Sequence, residues 1–350
     1  MNEIYLKRCI ELAYKGLGTT YPNPLVGSVI VHRDEIIGEG WHKKAGEPHA
    51  EVNAINSVKN KDLLPFSTIY VSLEPCAHFG KTPPCADLII QHKTPKVVIG
   101  IQDPFAKVNG LGIKKLRDAG IEVIMSSLTK ECWELNKRFF TFHEQKRPYI
   151  ILKWAETQDG FIDRERTDTQ PHQNWITNAF SKQMVHKWRS EEAAILVGKN
   201  TVLNDNPSLD VREWAGNQPT RIIIDPNLEI PNDYSIYNQK IKTIILNKKH
   251  TEQQENLQFI QIDFENMVQE ICRVLYEQQF QSLIVEGGQK TLQQFINQDL
   301  WDEARIFTGN ISFGKGLKAP EIDGIFVEKQ NIKNDSLKII RNKKWTPILP

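Results

Sequence analysis

The residues best suited to chemistry in this chain gather first in two short runs, His49-Ala50-Glu51 and Pro75-Cys76, followed by Cys85. Thiolates and imidazoles are preferred ligands of Zn²⁺, and a catalytic zinc site takes three of them and keeps its fourth position for water. His49, Cys76 and Cys85 would fill the three. A metal held in this way lowers the pKa of water toward neutrality. Glu51 lies two residues after His49, so at a helix start it points in a different direction from the ligand. It is placed to shuttle protons from water to a departing amine. The alternative is a structural zinc site closed by a fourth ligand, and His78 in the loop between the cysteines is a candidate. That alternative gives no role to the glutamate after His49 or to the proline before Cys76.

The predicted elements position these residues. Segments 27–30 and 35–41 read as a β-hairpin turning at Arg33-Asp34. Residues 51–58 carry Val52, Ala54, Ile55 and Val58 at helical spacing, so a helix starts beside His49. Residues 68–73 form a β-branched strand that ends at Glu74-Pro75-Cys76. Pro83-Pro84 opens a helix whose first residue is Cys85 and which runs through Ile90. A helix N-terminus favours a thiolate. Strands at 96–100 and 121–125 flank a helix at 110–119, and 130–144 reads as one further helix. Alternation of this kind predicts a largely parallel α/β sheet.

The two motifs resemble the zinc-deaminase signature, H-x-E followed by P-C-x-x-C, with its second half stretched to eight residues between the cysteines (77–84). Tyr21-Pro-Asn-Pro24, Val26-Gly27, His49-Ala-Glu51, Glu74-Pro-Cys-Ala-His-Phe-Gly-Lys-Thr-Pro-Pro-Cys85 and Asp103-Pro104 make residues 1 to about 145 similar to the cytidine-deaminase superfamily. Within it they resemble the bifunctional riboflavin-biosynthesis deaminase/reductase branch, which the long Gly-Lys-Thr-Pro-Pro loop sets apart from nucleic-acid-editing members. The resemblance implies a bound Zn²⁺ and a small-molecule substrate, a pyrimidine carrying a ribose phosphate. It also implies that Asn23, His42 and Lys81 line the pocket. A lysine offers a point charge to phosphate, and an asparagine offers both donor and acceptor to a base edge.

Length and charge fit that reading. With 350 residues the chain has room for two cores. Forty-four basic and 43 acidic residues leave a net charge of +1, which argues against a nucleic-acid partner. Five cysteines are too few and too scattered for a disulfide framework, and Cys9, Cys132 and Cys272 read as small buried hydrophobes. No segment has the apolar length of a signal peptide or a membrane span. The expectation is a cytoplasmic enzyme with no membrane partner.

Lys146-Arg147-Pro148 breaks the helical pattern, so the domains are expected to be 1–146 and 147–350. Beyond the break, strands are predicted at 149–155, 193–198, 220–225, 242–247, 257–262, 281–286 and 303–308, with helices near 177–189, 264–278 and 289–297. Residues 163–173 are polar and read as an exposed loop near a site. G-x-G-x-x-G is absent. Glu286-Gly287-Gly288 ends an apolar strand just before a helix, which reads either as a tight connection or as a usable anion cradle.

Lys153-x-Ala155-x-x-x-Asp159-Gly160, Trp175-Ile176-Thr177, Arg189-Ser-x-x-Ala-Ala-Ile-Leu-Val-Gly198, Thr201-Val202-Leu203-x-Asp205-x-Pro207-x-Leu209, Arg212, Asp225 and Glu286-Gly-Gly288 resemble the reductase half of the same bifunctional family. That half is similar in fold to dihydrofolate reductase. The resemblance implies NADPH contacts at Ala155, Trp175, Thr201, Asp205 and Gly288. It implies sugar-phosphate contacts at Arg189, Leu209, Arg212 and Glu286, and a homo-oligomer. Lys153 or Asp205 would deliver the proton that accompanies hydride transfer; the sequence leaves that choice open. The chain departs from the family pattern at Gln158, Gln173-Asn174 and Pro226. Two rivals stay open: a nucleoside or nucleic-acid deaminase with an unrelated second domain, and a non-catalytic binding module whose second domain senses pyrimidine or nucleotide.

Overall fold

Branched residues buried on both faces mark the central strands of this molecule, and mixed polar and apolar exposure marks its edges. The computed structural model describes residues 3–77, 83–105, 108–166, 171 and 173–344. The chain divides into two units, the first ending at Gln145 and the second opening at Lys146.

The first unit runs α1 (Glu3–Tyr14), β1 (Gly27–His32), β2 (Glu35–Trp41), α2 (Ala50–Ser57), β3 (Thr68–Val71), α3 (Cys85–Gln91), β4 (Lys96–Ile99), α4 (Leu111–Asp118), β5 (Glu122–Met125), α5 (Thr129–Leu135) and α6 (Lys137–Gln145). Its sheet has the order β2-β1-β3-β4-β5. The β3-β4-β5 part is parallel, as expected, while β1 is antiparallel to both of its neighbours. Ala54, Ile55, Ala86, Ile89, Ile113 and Leu116, from α2, α3 and α4, pack on one face against the strands. This fixes the N-termini of α2 and α3, where His49 and Cys85 sit. The single helix expected over 130–144 is two. Asn136 interrupts it with φ −108° and ψ 20°, because its side-chain amide bonds both backbone groups of Leu25 at 2.8 Å. A side chain that satisfies backbone elsewhere competes with helix continuation.

The second unit runs β6 (Tyr149–Thr157), β7 (Phe161–Asp163), α7 (Ala179–Glu191), β8 (Ala194–Gly198), α8 (Lys199–Asp205), β9 (Thr220–Ile224), β10 (Thr243–Asn247), β11 (Glu252–Gln253), β12 (Leu257–Gln261), α9 (Met267–Glu277), β13 (Ser282–Val285), α10 (Gln289–Asn297), β14 (Glu303–Gly309), β15 (Leu317–Lys318), β16 (Ile325–Ile332) and β17 (Asp335–Arg341). The main sheet has the order β11-β12-β10-β9-β8-β13-β6-β14-β17-β16. It is parallel from β12 to β14. Alternation along β6 sends Ile150 and Leu152 into one core with α9 and α10. Tyr149 and Ile151 enter the other, with α7. Asn178 starts α7 by accepting from the amides of Phe180 and Ser181, a side-chain N-cap. The sequence reading did not anticipate α8 or the antiparallel hairpin β16–β17. Among the described residues no helix is long and apolar enough to cross a membrane.

Candidate active sites

In the first unit the sheet delivers its chemistry at the ends of β3 and α2. His49 is the N-cap of α2 and makes no side-chain capping bond, so its imidazole is free to turn away from the helix. Cys85 is the first residue of α3, and Cys76 follows the turn after β3. Cys76 Sγ lies 3.6 Å and Cys85 Sγ 3.3 Å from His49 Nδ1. The three donor atoms fall within 4.8 Å of one another, a two-sulfur, one-nitrogen set that suits Zn²⁺. The Cys85 amide donates to Cys76 Sγ at 3.3 Å. The Cys85 thiol, then His49, hold the Cys76 thiol down to about 4 against its burial. With that anion formed, Cys85 is pushed up.

Glu51 is only 3 % exposed. Burial, and then the neighbouring Cys76 charge, raise its carboxyl to about 7. A carboxyl poised near neutrality suits a group that must both take and give a proton. His42 stands edge-on to His49, with ring centroids 5.4 Å apart. Its Nδ1–H donates to the Pro48 carbonyl at 3.2 Å, and its Nε2 accepts from Asn23 Nδ2 at 3.1 Å. Burial lowers its pKa, which favours this neutral tautomer. Asn23 and His42 are therefore together beside the donor set. Lys81 and His78 lie outside the described residues.

Glu74 belongs to the motif that carries Cys76. Its buried carboxylate accepts from the amides of Asp103 (3.2 Å), Gly110 (2.9 Å), Gly112 (2.9 Å) and Ile113 (3.1 Å), so it caps α4 and ties that helix to the turn carrying Cys76. A Cβ on Gly112 would sit 1.9 Å from the Pro75 carbonyl, so glycine is what lets the helix approach.

In the second unit a cavity of about 790 Å³ opens at the C-terminal ends of the parallel strands, where ligands of open α/β sheets bind. Its walls include Lys153, Ala155, Trp175, Arg189, Thr201, Asp205, Leu209, Arg212, Glu286 and Gly288. The resemblance named all of these. Glu286 is the hub of one wall. Arg189 Nε and Nη2 reach its carboxylate at 2.9 and 2.8 Å, and Lys153 Nζ stands 3.6 Å away. Burial pushes Glu286 up, but Arg189 and then Lys153 hold it down to about 2. Burial, and secondarily Arg189, lower the Lys153 pKa against the pull of Glu286. The fork of Arg189 is thus engaged by a carboxylate, while Arg212 meets Asp210 at 2.5 Å and is more exposed.

The cavity also holds residues that the sequence reading missed. Arg166 donates to Asp163 (2.8 Å), to the Asn204 carbonyl (2.9 Å) and to Asp205 (2.7 Å), and Asn174 donates to Asp163 at 2.6 Å. His186, 1 % exposed, also lines the cavity, and its Nδ1 lies 3.4 Å from the Arg212 amide. Gln158 turns to Asn310 at 2.7 Å instead. Trp175 is 56 % exposed, with Lys182 4.5 Å above its ring. The glycine turn forms a tight cradle. A Cβ on Gly287 would meet Val197 Cα at 2.5 Å, and one on Gly198 would meet Thr291 Oγ1 at 2.8 Å. Gly288 has φ +42° and caps α10. Bare backbone at a helix start, flanked by Thr201 and Thr291, fits a dinucleotide pyrophosphate.

Comparisons with known proteins agree with both halves. Residues 1–101 match the cytidine and deoxycytidylate deaminase zinc-binding region, and residues 148–343 match the RibD C-terminal domain. The riboflavin biosynthesis protein RibD of Aquifex aeolicus is 40 % identical over 347 residues, covering 95 % of this chain and 96 % of that protein. The crystal structure of a diaminohydroxyphosphoribosylaminopyrimidine deaminase/5-amino-6-(5-phosphoribosylamino)uracil reductase from Thermotoga maritima superposes with a TM-score of 0.88 at 38 % identity, covering 97 % and 98 % of the two chains. RibD of Acinetobacter baumannii gives 0.87 at 29 % identity, with the same coverage. A cytidine-deaminase-like zinc domain followed by a dihydrofolate-reductase-like domain that uses NADPH places this chain in the family of bifunctional riboflavin-biosynthesis deaminase/reductases.

Proposed function

We propose that residues 1–146 deaminate 2,5-diamino-6-(5-phosphoribosylamino)pyrimidin-4(3H)-one. Residues 147–350 then reduce the ribosyl side chain of 5-amino-6-(5-phosphoribosylamino)uracil to ribityl. The observation that carries this reading is the convergence of the His49, Cys76 and Cys85 donor atoms with a buried Glu51 beside them. Zinc, held by those three residues, supplies the Lewis acidity that makes water a nucleophile near neutral pH. Glu51 takes a proton from that water and delivers it to the amine, so water adds and ammonia leaves. Asn23 reads the base edge, held in place by neutral His42. Lys81 is assigned to the phosphate on the family motif alone.

NADPH, when bound, would supply a hydride for the ribose C1′ carbon, and the ring oxygen released from C1′ would need a proton. Lys153 is the better donor of the two candidates. Its burial favours giving the proton up, whereas Asp205 is ion-paired to Arg166, and an ionised carboxylate only accepts. Glu286 orients Lys153, and Arg189 orients Glu286. Arg212, at the cavity wall and less enclosed, takes the substrate phosphate beside Leu209. Ala155, Trp175, Thr201, Asp205 and Gly288 line the cofactor's path.

The cytoplasm suits a chain whose five cysteines are all free. Self-association is supported by β16, an edge strand exposing Ile325, Phe326 and Val327. Edges of that kind are templates for pairing. The test of the whole reading follows ammonia release from the diaminopyrimidine ribosylphosphate without NADPH, then NADPH oxidation on its addition. Ammonia followed by stoichiometric oxidation is expected. Ammonia alone would reduce the second unit to a binding domain, and activity on cytidine or tRNA instead would replace the substrate.

A further inference from the structure

The large cavity is chemically lopsided. Lys153, on β6, marks one side, paired with Glu286 at the end of β13, and the far side, beyond β8, carries Pro226, Phe264 and Met267. The pyrophosphate cradle at Gly288 follows β13, which lies between the two. A dinucleotide with its pyrophosphate there and its nicotinamide toward Lys153 must lay its adenosine across β8 and β9, over the apolar side. Lys199 is at that end. It is the first residue of α8, immediately after β8, and it lines the cavity.

Lys199 is ion-paired to Glu229. Glu229 lies on the turn that follows β9, and that turn is anchored. Asp225, fully buried, accepts from the amides of Glu229 (3.1 Å) and Ile230 (3.0 Å). Asn227 donates to Glu229 Oε1 at 2.9 Å. The carboxylate is therefore held in position while the flexible lysine reaches to it. The two groups have opposite preferences. An acidic side chain near the adenosine ribose accepts from a free 2′-hydroxyl, while a basic one accommodates a 2′-phosphate.

We infer that Lys199 reads the 2′-phosphate of NADPH and that Glu229 competes for Lys199, so that this ion pair sets the preference between NADPH and NADH; the inference rests on the reductase reading above. Both partners are partly solvent-exposed. An exposed ion pair is weak, and a phosphate dianion is a stronger acceptor for an ammonium, so the lysine exchanges one for the other on binding.

The test titrates the full chain with adenosine 2′,5′-bisphosphate and with 5′-AMP by calorimetry. The native chain is expected to favour the bisphosphate. Lys199→Met is expected to shrink the affinity ratio about tenfold or more, the scale of one charge-assisted hydrogen bond. Glu229→Gln is expected to widen the ratio. In steady state, the ratio of kcat/KM for NADPH to that for NADH should fall in Lys199→Met and rise in Glu229→Gln. An unchanged affinity for 5′-AMP, which carries no 2′-phosphate, reports a folded second unit. A bisphosphate-to-AMP ratio unchanged in Lys199→Met overturns the inference and leaves the reductase reading standing. Binding of neither nucleotide by the native chain overturns both.

Discussion

In the first unit the candidate ligands lie within one stretch of chain. Cys85 and His49 are 36 positions apart, and Cys76 is nearer still. In the second, the central ion pair joins Arg189 to Glu286 across 97 positions, and Arg166 reaches Asp205 across 39. The first site is a small set of donors around one metal position, with a single acid–base group beside it. The second is a network in which several charges hold one another. A local motif fixes residue roles nearly by itself. A network of distant charges does not, since each member's state depends on partners that only the fold brings near.

The contrast can be broken most sharply at Glu286. Glu286→Gln leaves Arg189 and Lys153 buried without their carboxylate, and removing one partner of a buried pair costs about 3–5 kcal/mol. Unfolding of the second unit should shift by that order, with loss of reductase activity and ammonia release retained. A second unit of native stability would mean that the network carries little.

The same carboxylate predicts a pH dependence. Its folded value of about 2 lies below the usual 4.5. It therefore contributes stability that is fully present above pH 4.5 and lost as pH falls toward 2. The contribution is on the order of 3 kcal/mol. Urea unfolding at pH 5 and pH 2.5 should show a drop in the native chain that is smaller in Glu286→Gln. Equal drops would contradict it.

Glu74 offers the smaller perturbation in the first unit. Glu74→Gln keeps the shape but weakens charge-assisted bonds to four amides, at a cost of about 2 kcal/mol. The expected result is a lower melting temperature of the first unit and weaker metal retention, with nucleotide binding unaffected. Unchanged metal retention would show that the α4 anchor does not position Cys76.

His49, Glu51, Cys76 and Cys85 were legible because they sit where strand and helix signals are strongest. Turn prolines and helix starts announce them. Lys153, Arg189 and Glu286 were legible only through resemblance, and the Arg189 fork, expected to be open to phosphate, is engaged by Glu286. Arg166 could not be placed, because nothing in a polar loop points to Asp205. The break at Asn136 was hidden because its cause, the Leu25 backbone, lies 111 positions away. The hairpin β16–β17 was missed because β16 is exposed along most of its length and carries Glu328-Lys329-Gln330-Asn331, which shows no buried face to a pattern search.

The most direct test of the account is Glu51→Gln with zinc analysis and both assays on one preparation. The account predicts one equivalent of zinc and an unchanged reductase rate on the deaminated substrate. It predicts that ammonia release falls by roughly 10²- to 10⁴-fold, the scale of a lost general acid–base. Ammonia release at the native rate, with zinc bound, would contradict it.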